Sequence, residues 1–123
     1  MNKELLKAFL GFDPAEWDTT STYPPFNYIK VSDTHHRMEF AVAGFKRNEL
    51  DVSTVNYELI IKGNKENPPK VEYLHKGIGT RAFTRRFILD KNSRVTSAEV
   101  VDGILVIDIE VLRETRTNKI TIK

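Results

Sequence analysis

The most constraining feature of this chain is a hydrophobic period of two that governs the sequence from Asn27 onward. Apolar side chains recur at every second position in several short stretches, and turn-forming residues separate these stretches at intervals of about ten residues. This period fits a strand, whose alternate side chains face opposite ways, and does not fit a helix. The sequence therefore predicts an all-β sandwich or barrel. The residues predicted to share a face within each strand are Met38, Phe40 and Val42; Leu50, Val52 and Thr54; Tyr57, Leu59 and Ile61; Phe83, Arg85, Phe87 and Leu89; and Leu105, Ile107, Ile109 and Val111.

Length and composition limit the chain to one folded domain of ordinary globular type. It has 123 residues, of which 40% are hydrophobic and 29% are charged, and its formal net charge is +2. That length supports one hydrophobic core but not two, and the nearly balanced charge names no particular partner. The absence of cysteine excludes disulfides, thiolate metal sites and a cysteine nucleophile, so stability must come from packing or assembly. It also fits a reducing compartment, and we expect a cytoplasmic protein.

The first 25 residues follow a different pattern and form a predicted arm and linker. Residues 2–12 fit a short amphipathic helix that ends near Gly11 and Pro14, and residues 13–25 are polar and rich in turn formers. Lys7 interrupts the apolar run and acidic residues follow it, so we expect neither a signal peptide nor a membrane span. The predicted organisation is an arm and linker at 1–25, a folded domain at 26–111 and a C-terminal extension at 112–123.

Two stretches in the second half of the chain lack a local partner. A polar run at 64–69 precedes residues 71–75, which fit a short strand that projects from a long loop. An isolated strand leaves its backbone groups unpaired, so pairing with another subunit is the natural solution. After the charged residues 113–119 comes a last alternating patch, Ile120-Thr121-Ile122, whose two isoleucines point to the same side.

Three short motifs stand out in the predicted domain and its extension. Residues 83–87 read FTRRF, residues 98–105 read AEVVDGIL, and residues 120–122 read ITI. In this order and spacing they resemble the small heat-shock proteins, the family that shares the α-crystallin domain. The first is similar to that family's Phe-x-Arg-x-aromatic strand, the second to its signature of Ala, three variable residues, a polar residue, Gly, an aliphatic residue and Leu, and the third to its Ile-x-Ile tail. The stretches at 11–13, 23–27 and 41–45 resemble the bacterial inclusion-body-binding subgroup.

The resemblance implies an immunoglobulin-like β-sandwich and a dimer that is built by strand exchange. Residues 71–75 are expected to join the partner's sheet beside the strand at 28–31, which would satisfy backbone groups that a monomer leaves open. The expected dimer-interface residues are Tyr28, Val71, Tyr73, His75 and Arg85.

The resemblance also implies that dimers assemble further through the tail. The two tail isoleucines are expected to dock on another subunit, in a groove between the strands at 50–55 and 96–101. The expected residues are Ile120 and Ile122 for the tail and Leu50, Val52, Ala98 and Val100 for the groove.

The function implied by the resemblance is that of an ATP-independent holdase chaperone. Such a protein captures unfolding client proteins through apolar contacts and leaves refolding to ATP-driven chaperones. We expect no catalytic residue, cofactor, metal or nucleic-acid partner. The client-binding surface is expected in the arm, at Leu5, Leu6, Phe9, Leu10, Phe12 and Trp17.

A few polar residues allow more than one interpretation. Arg85 shares a face with aromatic residues, so it is either a paired, partly buried charge at the dimer interface, which we favour, or an edge residue that extends into solvent. His35 and His36 are adjacent strand residues that point to opposite faces, and we expect turn or surface roles for both and not a metal site. His75 is expected to be solvated. The glycines at 77 and 79 lack the lysine and the following helix of a phosphate loop.

Three other functions compete with the holdase. Basic and aromatic residues near Arg86 suggest a single-stranded RNA site, but alternation predicts that Phe83 and Phe87 face inward, where bases cannot stack on them. A monomeric co-chaperone adaptor with a related sandwich is a second alternative, and the apolar arm and Ile-x-Ile tail argue against it. A hydrolase is the third, and no set of acid, base and nucleophile can be assembled from the sequence.

Overall fold

Seven β-strands and one short 3-10 turn make up the regular structure of the computed structural model, which describes residues 23–65, 70–112 and 120–123. Each strand coincides with a stretch of alternating or β-branched residues, which favour a half-buried pleated surface. The turn spans Arg47–Glu49 and leads directly into the third strand. The strands are β1 Phe26–Lys30, β2 His35–Ala41, β3 Leu50–Val55, β4 Glu58–Gly63, β5 Phe83–Ile88, β6 Ser93–Val101 and β7 Ile104–Val111.

The strands form two antiparallel sheets. The four-stranded sheet has the order β1-β2-β7-β6 and the three-stranded sheet has the order β3-β4-β5. All strand pairs are antiparallel, and β2 and β7 pair without a register shift from His35 opposite Glu110 to Ala41 opposite Ile104. The predicted all-β fold with two packed sheets is confirmed.

The core lies between the two sheets and uses the side chains that the alternation selects. Met38, Phe40 and Ile107 are fully buried on the four-stranded sheet, and Leu59 and Phe87 are fully buried on the three-stranded sheet. The remaining core members are Val42, Phe45, Ile61, Phe83, Leu89, Leu105, Ile109 and Val111.

Aromatic contacts fix how the sheets lie on one another. The Phe26 ring of β1 lies 5.3 Å from the Phe87 ring of β5, and it also stacks on Phe40 at 5.5 Å. Because β1 and β5 are the edge strands on one side of their sheets, their opposite edges, β6 and β3, lie together on the other side. The sandwich therefore has two distinct edges, one formed by β1 and β5 and one formed by β3 and β6.

The turn between β6 and β7 is a tight two-residue turn at Asp102 and Gly103. Asp102 has φ +52 and Gly103 has φ +77, so both occupy the left-handed region that two-residue hairpin turns require. A methyl group at Gly103 would approach Ala43 Cβ to 3.3 Å, which adds crowding to the strained backbone. Leu105 follows as a buried residue with 3% of its surface exposed.

Tyr57 departs from the predicted alternation. It was expected to face the core with Leu59 and Ile61, but it lies in the turn between β3 and β4 with φ +67 and 56% of its surface exposed. Asn56 is also left-handed, at φ +49, so the strand ends at Val55 and restarts at Glu58. The expectation for Tyr57 was wrong because a tight two-residue turn interrupts the strand period.

The two adjacent histidines also differ from expectation. Both lie within β2, with neither in a turn, and His36 is buried at 1% exposure while His35 is partly exposed on the outer face. The prediction of opposite faces is confirmed, but the surface role for His36 is wrong. His36 falls two residues before Met38 and therefore takes the core side of the strand.

Candidate functional site

A β-bulge in β6 decides which of its side chains line the edge that it shares with β3. The register shifts between Val95 and Ser97, so that Ala98 stands opposite Ile107 and Val100 opposite Leu105. Directly paired residues share a face, so Ala98 and Val100 point toward the core side of the sheet. Without the extra residue the polar Ser97 and Glu99 would take that side instead.

The matching edge of the three-stranded sheet presents Leu50 and Val52 on its inner side. They pair with Gly63 and Ile61, which are buried, and are themselves only partly buried against the core. On β6, Ala98 is exposed and Val100 is 37% exposed despite facing inward. Leu50 and Val52 on β3 and Ala98 and Val100 on β6 thus all lie on the inward-facing sides of edge strands. They are the four residues that the sequence analysis expects to receive the tail, and we refer to them as the docking groove after that expectation.

Both tail isoleucines are exposed to solvent in the single chain. Ile120 is 86% exposed and Ile122 is 95% exposed. Exposing a large apolar side chain to water is unfavourable, and burying one contributes about 1.5–3 kcal/mol to the free energy of binding. The two residues are therefore suited to binding an apolar surface.

The opposite edge of the sandwich is formed by β1, where Tyr28 packs inward. Its hydroxyl lies 2.8 Å from His36 Nδ1, and burial raises the pKa of Tyr28 well above its ordinary value. Among the described strands, β1 pairs with β2 alone, so its other side offers backbone groups to a further strand.

Residues 71–75, the exchange segment, join neither sheet in the single chain. Val71 is 56% exposed, Tyr73 is 52% exposed and Leu74 is fully exposed, while Lys76 lies over the Tyr73 ring at 5.3 Å. His75 is exposed, as expected for a solvated histidine. A segment with this much exposed apolar surface and no strand partner of its own is suited to pairing with an exposed strand edge.

Arg85 lies inside the sandwich edge and does not extend into solvent. It is 4% exposed, its guanidinium donates a hydrogen bond to the Pro24 carbonyl at 3.1 Å, and it lies 5.1 Å from the Phe26 ring centroid. It is also 5.5 Å from the Phe87 ring centroid. The alternative of a solvent-directed edge residue is therefore wrong for the single chain, and Arg85 links the residues before β1 to β5.

The outer face of the four-stranded sheet carries a polar network that sequence analysis missed. Asp108 on β7 accepts hydrogen bonds from His35 Nε2 at 2.7 Å, Arg37 Nε at 2.9 Å and Ser97 Oγ at 3.0 Å. Partial burial opposes ionisation of Asp108, but these three donors outweigh it and hold the pKa of the carboxyl below its ordinary value. The sequence signal for this network is Asp108 itself, an acidic residue within an apolar strand. Its two partners on β2 are more than 70 residues away in the sequence, and its third partner lies on the neighbouring strand β6.

The predicted client-binding residues Leu5, Leu6, Phe9, Leu10, Phe12 and Trp17 lie outside the described residues. Within the ranges that the structure describes, no group of three His, Cys, Asp or Glu residues is placed to hold a metal ion. The same ranges contain no helix that is long and apolar enough to cross a membrane. Phe83 is 8% exposed and Phe87 is fully buried, which confirms that they face inward and disfavours stacking of RNA bases on them.

Comparison with known proteins agrees with this architecture. Residues 28–123 match the Hsp20/alpha crystallin family. Small heat shock protein IbpB of Klebsiella pneumoniae is 33% identical over 111 residues, which cover 85% of this chain and 78% of that protein. Small heat shock protein IbpA of Yersinia pestis is 34% identical over 114 residues, which cover 86% of this chain and 83% of that protein.

Solved structures give the same result for the fold. A small heat shock protein from Synechococcus phage S-ShM2 superposes with a TM-score of 0.67 at 33% identity, covering 82% of this chain and 98% of that one. The truncated small heat shock protein AgsA from Salmonella typhimurium superposes with a TM-score of 0.70 at 22% identity, covering 81% of this chain and 97% of that one, which supports the fold. The α-crystallin type of β-sandwich is confirmed, and the chain belongs to the Hsp20/alpha crystallin family of small heat shock proteins.

Proposed function

We propose that this chain is an ATP-independent holdase that binds unfolding proteins through apolar contacts and prevents their irreversible aggregation. Its family consists of chaperones and not of enzymes, which supports a chaperone role. The observation that carries the proposal is apolar surface left outside a complete core, at Leu74, Ile78, Ile120 and Ile122, which are at least 82% exposed. Exposed apolar groups of this kind mark sites of protein interaction.

The building block that we propose is a dimer in which the exchange segment of each chain pairs with β1 of the partner. β1 offers an edge with no further strand among the described residues, and residues 71–75 offer a segment outside both sheets with exposed Val71 and Tyr73. Adding a strand to a sheet edge pairs backbone groups on both sides and buries alternate side chains. Tyr28 and Arg85 lie at or beneath that edge, which supports their assignment to the interface.

Tail docking is the proposed route from dimers to larger homo-oligomers. Ile120 and Ile122 alternate with Thr121, so an extended backbone would place both isoleucines on one side. The docking groove offers Val52 and Val100 on inward faces that the core leaves partly uncovered. Each docked isoleucine contributes about 1.5–3 kcal/mol before ordering costs, so one tail binds weakly. Many weak tails hold an assembly together and still allow subunits to leave, which exposes apolar surface to clients.

The same proposal assigns client capture to the apolar arm as well. In this proposal, release and refolding are left to ATP-driven chaperones in the cytoplasm. The proposed arm residues are Leu5, Leu6, Phe9, Leu10, Phe12 and Trp17.

Light scattering of a heat-labile client enzyme tests the proposal. The client is heated alone, with this protein, and with an equal mass of an unrelated small β-protein, in buffer without ATP. A holdase suppresses scattering at near-stoichiometric amounts, and the unrelated protein does not. Absence of suppression over a range of temperatures would contradict the holdase, and a strictly monomeric protein in that case would favour the co-chaperone adaptor.

A further inference from the structure

The connection between β4 and β5, which contains the exchange segment, is held at its first end by Lys65. The Lys65 ammonium donates hydrogen bonds to the Gly44 carbonyl and to Glu49 Oε1, the latter at 3.0 Å, and lies 5.2 Å from the Phe45 ring centroid. The Lys65 and Glu49 side chains are only 26% and 23% exposed, so solvent screens this ion pair less than it screens a surface pair. Asn64 adds a backbone hydrogen bond to the Glu49 carbonyl at 2.8 Å.

The carboxylate partner is itself fixed in place. Glu49 Oε1 accepts a hydrogen bond from the Lys46 backbone N–H at 2.7 Å, in a capping box on the 3-10 turn. This backbone hydrogen bond and the hydrogen bond from Lys65 hold the pKa of Glu49 below its ordinary value. Lys65 therefore binds to an acceptor that is already oriented.

The second end of the connection returns to the same loop. A methyl group at Gly44 would lie 2.9 Å from Thr80 Oγ1, and Gly44 has φ +93, so this glycine permits close approach of Thr80. Next to it, the Arg81 backbone N–H donates to the Tyr23 hydroxyl at 3.3 Å, and the Arg81 guanidinium lies 4.5 Å from the Tyr23 ring centroid. Both ends of the connection thus contact the neighbourhood of Gly44.

We propose that Lys65 is a positioning residue for subunit exchange: by binding Glu49 and the Gly44 carbonyl, it holds the first end of the connection beside its second end and so limits the region that residues 71–75 must search before they dock on the partner's β1. The inference rests on the strand-exchanged dimer proposed above. Its physical basis is preorganisation, because a segment whose two ends are held in place loses less conformational freedom when it docks. Loss of the contact is expected to weaken docking about three- to tenfold.

Hydrogen–deuterium exchange of the full-length assembled protein tests the inference. The variants are Lys65→Met, which keeps an apolar stem over Phe45, Glu49→Gln, which keeps an acceptor for the turn, and the two combined. Lys62→Met is the matched control, since Lys62 is an exposed lysine on β4. We expect amides at 71–75 to exchange about three- to tenfold faster in Lys65→Met than in the wild type, with β2 and β7 unchanged and the control at the wild-type rate. The combined variant is expected to add little to the stronger single change.

The outcomes separate the two proposals. Protected amides at 71–75 in the wild type and equal protection in Lys65→Met would overturn the positioning role and leave the exchanged dimer standing. Faster exchange throughout β4 and β5 would also overturn it, because Lys65 would then merely stabilise the sandwich. Unprotected amides at 71–75 in the wild type would overturn the strand exchange itself and the positioning role with it.

Discussion

Tyr28 and His36 meet on the inner side of the four-stranded sheet, where the tyrosine hydroxyl lies 2.8 Å from His36 Nδ1. The two rings are nearly perpendicular, with centroids 5.3 Å apart, and His36 is 1% exposed. A polar contact in an apolar setting is costly to break, because the buried groups lose a partner that water does not replace. This contact ties the edge strand β1, which the proposed dimer requires, to β2 at the centre of its sheet.

Tyr28→Phe is expected to destabilise the folded chain by about 1–3 kcal/mol, since it removes the hydroxyl and leaves His36 Nδ1 without that hydrogen bond. Urea denaturation at a fixed protein concentration measures the change. Tyr57→Phe is the matched control, because Tyr57 is 56% exposed in a turn, and it should leave the free energy of unfolding nearly unchanged. Equal stability of the two variants would contradict the buried contact.

Asp108→Asn is expected to lower stability at neutral pH by about 1–3 kcal/mol, because the charged acceptor of three hydrogen bonds is lost. The folded-state pKa of Asp108 lies below its value in the unfolded chain, so the contribution is present above pH about 4 and is lost as the pH falls through the folded pKa. The difference between wild type and variant should therefore shrink below pH about 4.

Chemical denaturation across a pH series measures that difference. Asp51→Asn, at an exposed position on β3, is the control and should show no such difference at any pH. If the free energies of unfolding of the wild type and Asp108→Asn differ by the same amount down to strongly acidic pH, the Asp108 carboxylate is not the cause of that difference.

Gly63→Ala is expected to destabilise the sandwich by about 1–3 kcal/mol through overpacking. A methyl group there would lie 2.3 Å from Phe83 Cε1 and 2.9 Å from Phe45 Cε1, so two core rings must move. Gly79→Ala provides the comparison, because a methyl group at Gly79 meets no atom within 4 Å. Thermal unfolding of both variants should show a clear loss for the first and almost none for the second, and similar melting temperatures would argue against this packing.

Ile120→Ala combined with Ile122→Ala is expected to shrink the assembly while the sandwich stays folded, because two exposed apolar side chains lose their capacity to dock. Multi-angle light scattering after size-exclusion chromatography measures the mass, and circular dichroism checks the fold. Thr121→Ala is the control. Ala98→Asp, at an exposed position of the docking groove, should reproduce the smaller mass. An unchanged mass in Ala98→Asp and in the double isoleucine variant would exclude tail docking.

Alternation alone predicts much of this fold, and the reason is local. Met38, Phe40 and Leu105 take the core side because each strand buries one face, and a period of two records that choice directly in the sequence. The Asp102-Gly103 turn is equally local, since two left-handed residues require these residue types. Such features need no knowledge of the partner strand.

Features that depend on the partner strand are harder to predict. The bulge after Val95 is invisible in the sequence, although it decides that Ala98 lines the docking groove. Two of the three donors to Asp108 come from β2, more than 70 residues away in the chain, and the third is Ser97 on β6, whose position opposite Asp108 depends on the bulge. The burial of His36 could have been derived from its parity with Met38, but its polar side chain favoured a surface assignment.

Isolation of a complex between this chain and an unfolding protein shows whether the chain holds such proteins without ATP. A heat-labile enzyme is heated with the protein in ATP-free buffer, the mixture is cooled, and size-exclusion chromatography with gel analysis locates both chains. A holdase keeps the inactive enzyme in a soluble complex that elutes with the protein, and the enzyme regains activity only after an ATP-driven chaperone is added. Recovery of the enzyme solely in the pellet, with the protein eluting alone as it does before heating, would show that the chain is not a holdase.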